Sequence, residues 1–179
     1  MTGSPAADVF VSAGSNIEPV DHLRFACREL ERAFGALSLS SVYQSAAIGF
    51  EGNDFLNMVI RFSTGRSLTE LTAELERIQA EAGREPSADS FSSRTLDLDL
   101  LLYGRQVVDA PPVSLPRPDI TRYAFVLGPL AELAPDLRHP VTGETMGQLW
   151  KNFDRRKQSI QRLDGIYQPT LRPPSTAMI

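Results

Sequence analysis

The sequence predicts an α+β sandwich whose elements follow the order strand, helix, strand, strand, helix, strand. Short apolar segments bounded by Gly, Ser, Asn and Pro recur along the chain, and two intervening stretches carry apolar residues at helical spacing. Each helical stretch falls between strand segments. That order is the βαββαβ plan of a ferredoxin-like sandwich, with both helices on one sheet face and added C-terminal elements beyond it.

The first apolar run, Val9-Phe10-Val11-Ser12-Ala13, ends in Gly14-Ser15-Asn16 and reads as a strand entering a tight turn. Leu23, Ala26, Cys27, Leu30, Ala33 and Phe34 then share one helical face, and Gly35 stops the helix. Two strand-like segments follow, residues 37–45 and 55–62, joined by a breaker-rich loop over 46–54 that is too long for a tight hairpin turn. Ser67 and Glu70 have capping-box spacing, ahead of Leu68, Leu71, Leu75, Ile78 and Ala82 on one face, and Gly83 ends that helix. Residues 84–93 are polar and read as a mobile loop; residues 95–103 are a leucine-rich strand bounded by Gly104. A crossing with Pro111, Pro112, Pro116 and Pro118 leads to a third helix over residues 123–133. Residues 8–150 are thus expected to form one domain. Residues 151–179 are expected to be a basic, partly disordered tail with Pro169, Pro173 and Pro174.

Charge narrows the functional classes. The chain has 179 residues and a formal net charge of −4, but residues 1–150 carry twelve basic and twenty acidic side chains. The tail reverses the balance, with six basic and two acidic residues. An acidic body is a poor electrostatic partner for nucleic acid. Lys151 and Lys157 are the only lysines, so a P-loop and a Schiff-base lysine in the body are both excluded. Cys27 stands alone and has no internal disulfide partner, which fits a reducing compartment. The N-terminus lacks a secretion signal's basic start and apolar stretch, and no apolar run reaches the ~18 residues of a membrane span. With only His22 and His139, a histidine metal site is not expected. A cytoplasmic domain is expected.

Asp97 and Asp99 carry the strongest chemical signal. Two residues apart on a strand, they project to one face while Leu96, Leu98 and Leu100 project to the other. Carboxylates about 7 Å apart along a strand suit Mg²⁺ with phosphate ligands; they equally suit a solvated sheet face. Arg84 and Arg94 bracket the polar loop and fit either a plain ion pair or a phosphate clamp under a lid. Asn57 interrupts the apolar run from Phe55 to Ile60; it reads as a satisfied core amide or as a reader of a heterocycle edge. Phe55 and Phe125 either stack on such a ring or fill the core.

These pieces, in this order, resemble the 6-hydroxymethyl-7,8-dihydropterin pyrophosphokinase family of folate biosynthesis. The resemblance rests on Gly14-Ser15-Asn16, Phe55-Leu56-Asn57, Gly83-Arg84 and above all Arg94-Thr95-Leu96-Asp97-Leu98-Asp99. It continues through Leu115-Pro116 and Phe125-Val126-Leu127-Gly128-Pro129-Leu130. It implies transfer of pyrophosphate from ATP to the pterin hydroxymethyl group, releasing AMP. Asp97 and Asp99 would bind two Mg²⁺ ions, and Arg84 and Arg94 would stabilise the phosphates. Leu100, Ser114, Arg117 and Arg122 would complete the ATP site. Asn57 would hydrogen-bond the pterin, Phe55 and Phe125 would sandwich it, and Ser45, Ala46, Ala47 and Ile48 would line its pocket. Pterin and ATP are then the expected partners, with no nucleic acid or membrane, and a monomer is favoured.

Several family positions differ here. Ser45-Ala46-Ala47 replaces a Thr-Pro-Pro-like segment, Gln79 a Glu, Ser90 and Phe91 an Arg and a Trp, Arg117 a His, and Tyr123 an Arg, with Arg122 beside it. Each uncompensated charge-assisted contact would cost about 1.5–3 kcal/mol. A divergent relative with a modified pterin or slow transfer is therefore one alternative, and a non-catalytic regulatory module is another.

Overall fold

The computed structural model describes residues 5–83 and 95–163. Arg84, Ser90, Phe91, Arg94 and residues 164–179 lie outside them. The first half of the chain forms β1 (Ala7–Ser15), α1 (Pro19–Phe34), β2 (Ser38–Leu39), β3 (Tyr43–Ser45), β4 (Phe55–Thr64) and α2 (Leu68–Glu81). The second half forms β5 (Asp97–Tyr103), β6 (Val108–Ala110), β7 (Val113–Leu115), α3 (Asp119–Arg122), α4 (Ala124–Leu133), α5 (Met146–Asn152) and β8 (Ile160–Arg162).

β1 is central because both its faces are apolar. Val9, Val11 and Ala13 enter one core, and Phe10 enters the other. It pairs antiparallel with β4 on one side and β5 on the other. The sheet order is β5-β1-β4-β3-β8, with β2 also on β4. The expected helical faces are the buried ones. Leu23, Ala26, Cys27 and Leu30 of α1 and Leu71, Leu75 and Ile78 of α2 pack with Leu96, Leu98 and Leu100 in the first core. Ser67 and Glu70 close the capping box reciprocally. Cys27 is a buried core residue, and burial pushes its thiol up to about 12.

The opposite sheet face carries the second core, built by α4 and α5 on Phe10, Val59, Leu101 and Leu102. Successive leucines at 101 and 102 share it because β5 is bulged. Phe10 pairs with Leu102 and Val11 with Leu100, so Leu101 is the extra residue. Its carbonyl accepts instead from the Arg117 backbone N–H, at 3.0 Å. One extra residue thus ties β5 to the segment entering α3.

The structure departs from the sequence-based elements in three places. Residues 37–45 form two short strands, broken where the Ser40 hydroxyl accepts from the Val59 N–H at 2.8 Å. The proline-rich crossing contains the β6–β7 hairpin and the one-turn helix α3, while the helix expected over residues 123–133 forms as α4. The third departure concerns the tail. β8 pairs with β3 over Tyr43–Arg162, Gln44–Gln161 and Ser45–Ile160, so residues expected in the tail contribute a strand to the sheet. The physical reason is packing. Gly128 on α4 has no Cβ, and one there would lie 2.6 Å from Ile160 Cδ1 and 3.2 Å from Trp150; the C-terminal segment docks into that space. Gln158 bridges the break before α4, accepting from Ala124 N at 3.0 Å and donating to Arg122 O at 2.8 Å. Among the described residues no helix is long and apolar enough to cross a membrane.

Candidate active site

On the face covered by α4, the apolar floor gives way to a polar one within a single rung. Phe10 pairs with Leu102 of β5; two residues on, Ser12 faces Asp99, and two further on, Gly14 faces Asp97. Across β1 the same rungs continue, Ser12 to Val59 and Gly14 to Asn57, and then Asn57 to Tyr43. Asp97, Gly14, Asn57 and Tyr43 therefore lie in one line across four strands. Two strand spacings, about 10 Å, separate the carboxylate strand from the amide strand.

Gly14 is the reason that line holds. A Cβ at that position would lie 2.8 Å from Asn57 Oδ1, closer than packed atoms tolerate. The amide of Asn57, 4% exposed, donates from Nδ2 to Ser45 Oγ at 2.9 Å. Both partners are buried polar groups, so the bond fixes β3 against β4 where the 46–54 loop begins. The far ends of that loop are also tied. Gln44 Nε2 donates to Asp54 at 2.8 Å, and Asn16 Nδ2 to the Asn53 carbonyl at 3.3 Å. Between these ties Ala46 and Ile48 are exposed and Ala47 is half-buried. Phe55 meets Phe50 edge-on at 6.3 Å, while Phe125 stacks on Tyr123 at 5.1 Å. Tyr123 thus has a place of its own.

The carboxylates lie on an edge strand, and α2 braces it. Gln79 Oε1 accepts from the backbone N–H of Leu98, between the two aspartates, at 3.0 Å. An edge donor that would otherwise face solvent is satisfied, and the strand is pinned where its acids project. Arg117 reaches Asp99 with Nη2 at 3.2 Å and Asp119 with Nε at 2.8 Å. Burial opposes the Arg117 charge, but the charges of Asp99, Asp119 and Asp97 and the Asp119 hydrogen bond hold its pKa above the ordinary arginine value.

Among the described residues no three His, Cys, Asp or Glu side chains converge on a point. A cation at Asp97 and Asp99 would take its other ligands from water or a bound phosphate. That incomplete, all-oxygen set fits Mg²⁺ and does not fit structural Zn²⁺.

Asp99 also borders a cleft of about 630 Å³ between α2, β5 and the β6–β7 hairpin. Leu100, Ser114 and Arg117 line it with Asp99. Sequence reasoning named Gln79 but missed Thr72, Glu76 and Ala80 beside it on the α2 wall, although Thr72, Glu76 and Gln79 recur at spacings of four and three residues on one helical face. Arg122 is exposed at the end of α3, outside that lining. Arg84 and Arg94 lie outside the described residues.

The model of the 7,8-dihydro-6-hydroxymethylpterin-pyrophosphokinase family matches residues 10–135. A 2-amino-4-hydroxy-6-hydroxymethyldihydropteridine pyrophosphokinase of Pseudomonas aeruginosa is 38% identical over 136 residues, 74% of this chain and 83% of the relative. The Synechocystis protein of the same name is 37% identical over 147 residues, 80% of this chain and 75% of the relative. Among solved structures, the wild-type HPPK-DHPS of Plasmodium falciparum with pteroate superposes with a TM-score of 0.67 at 12% identity. It covers 82% of this chain, which spans 42% of that longer one; at that identity the likeness concerns the fold.

Proposed function

From the premise that this chain belongs to the 7,8-dihydro-6-hydroxymethylpterin-pyrophosphokinase family, we propose a residue-level account of its site. The chain is an ATP- and Mg²⁺-dependent diphosphotransferase of folate biosynthesis. The hydroxyl oxygen of 6-hydroxymethyl-7,8-dihydropterin gives its proton to water and bonds to the β-phosphorus of ATP, the bond from that phosphorus to the α–β bridging oxygen breaks, and AMP leaves.

Asp97 and Asp99 would hold two Mg²⁺ ions. Bound there, Mg²⁺ would supply positive charge against the phosphate oxygens. The observation that carries this reading is the shared rung: the aspartate strand, Gly14 and Asn57 lie side by side on one polar patch of the sheet. Asn57 and the backbone of Ser45, Ala46, Ala47 and Ile48 read the pterin edge, and Phe55 and Phe125 flank its ring. Leu100, Ser114 and Arg117 hold ATP in the adjoining cleft, with Arg84, Arg94 and Arg122 meeting its phosphates. Gln79 keeps Asp97 and Asp99 aimed, which an amide oxygen does as well as a carboxylate. The work of the protein is positioning and electrostatics, with no covalent step at a side chain.

The same reading takes the fold as ferredoxin-like, since two βαβ-type halves interleave into the antiparallel order β5-β1-β4-β3. It takes residues 8–150 as the catalytic domain and residues 151–179 as a basic C-terminal segment that carries β8, the enzyme as a monomer, and the cytoplasm as its compartment on the strength of one buried thiol.

The test is AMP formation from ATP, 6-hydroxymethyl-7,8-dihydropterin and Mg²⁺. AMP is expected to accumulate with the pterin and to cease on chelation of the metal; no AMP above background overturns the account. Gly14→Ala adds a methyl group against Asn57 and is expected to raise the pterin KM about tenfold, an overpacking effect of ordinary size. The ATP KM is expected to change less than twofold. An unchanged pterin KM would remove Asn57 from the pterin site.

A further inference from the structure

Arg117 stands where three demands meet. Its backbone N–H is held by the carbonyl of the bulged Leu101, its Nε by Asp119, and its Nη2 by Asp99 Oδ1. The first two anchors keep the side chain at the cleft mouth. The third places a fixed positive charge on a carboxylate oxygen that is also a ligand in the reading above. A carboxylate oxygen paired with a guanidinium is a weaker ligand, and two cations on one carboxylate repel.

We propose that Arg117 competes with the divalent cation for Asp99 and is handed from carboxylate to nucleotide phosphate when the metal and ATP arrive together. The inference rests on Asp97 and Asp99 being the metal ligands. Because Asp119 retains Nε, the transfer needs only the outer nitrogens to change partner. A guanidinium fork pairs as readily with phosphate as with carboxylate, and the cleft that would receive the nucleotide is lined by Arg117 itself. Two consequences follow. The nucleotide-free enzyme binds divalent metal weakly, and metal and nucleotide strengthen each other's binding by more than their own mutual attraction. By reciprocity the same factor appears in both titrations.

The test uses Mn²⁺ as probe, with free Mn²⁺ followed by electron paramagnetic resonance, and an ATP analogue carrying a methylene group between the α and β phosphorus atoms. In nucleotide-free protein, Arg117→Gln is expected to bind Mn²⁺ about tenfold more tightly than wild type, and to bind the analogue more weakly in the presence of Mn²⁺. Arg117→Lys, which keeps the charge without the fork, is expected to fall between them. Thermal unfolding of each variant reports whether it is folded. Unchanged or weaker Mn²⁺ binding by folded Arg117→Gln or, should that variant not fold, by Arg117→Lys overturns the inference. Asp99→Asn separates the two levels of the argument. If it abolishes Mn²⁺ binding while the Arg117 variants gain nothing, only the competition is wrong; if Mn²⁺ binds as in wild type, the ligand assignment itself fails.

Discussion

Asp99→Asn is expected to lower kcat for AMP formation about a thousandfold, and Asp97→Asn by a similar factor. Each change keeps the size and hydrogen-bonding reach of the side chain and removes one of the two charges proposed to face the phosphates. Neither carboxylate is needed for the sheet. Both lie on the polar patch, at the edge strand β5, while the leucines between and beside them fill the first core. Asp99→Asn gives up the partly exposed ion pair with Arg117 Nη2 at 3.2 Å, so stability is expected to fall by no more than about 1 kcal/mol. The measurement is kcat over a range of Mg²⁺ concentrations, with thermal unfolding as control. A variant that is folded and keeps more than a tenth of wild-type kcat would show that Asp97 and Asp99 are decoration on a solvated face.

Truncation after Phe153 is expected to be the second large effect, and it reverses what the sequence suggests. Composition alone makes that segment a dispensable tail. In the structure its removal strips β8 from β3, takes Gln158 from the start of α4, and leaves the space over Gly128 unfilled. The two Gln158 hydrogen bonds at about 1 kcal/mol each and a partly buried Ile160 amount to about 3 kcal/mol even before the β8–β3 ladder is added. The melting temperature should fall by about 10 °C. Because β3 leads into the 46–54 loop and α4 carries Phe125, the pterin KM should rise about tenfold while nucleotide binding is largely kept. Truncation after Leu163 retains β8 and Gln158, so the difference between the two constructions isolates their contribution. Equal melting temperatures would show that β8 contributes nothing.

The residues that were legible in advance are those whose signals are local. The Ser67–Glu70 capping box lies within one helical turn, and the faces of α1 and α2 follow a period of 3.6. The Asp97/Asp99 alternation follows a period of two. Thr145 and Gln148 form a second capping box at α5, a signal of the same kind that was open to reading. The bulge at Leu101 was not legible, because three leucines in a row carry no phase. β8 was not legible either, since three residues of mixed polarity become a strand only when an edge is available to pair with.

Sequence by itself determined the alternation of elements, the two helix faces that build the first core, and the pair of carboxylates projecting away from it. These depend on repeat distances that the backbone imposes on any chain. Tertiary structure alone decided which residues share a rung. Gly14 sits between Asp97 and Asn57 because β1 runs between strands that are 40 residues apart in the chain. The same holds for Gln79 bracing Leu98, for Arg117 meeting Asp99, and for the C-terminal strand closing on β3. Strand register and helix docking are set by which buried surfaces fit together over the whole chain, and no window of sequence contains that information.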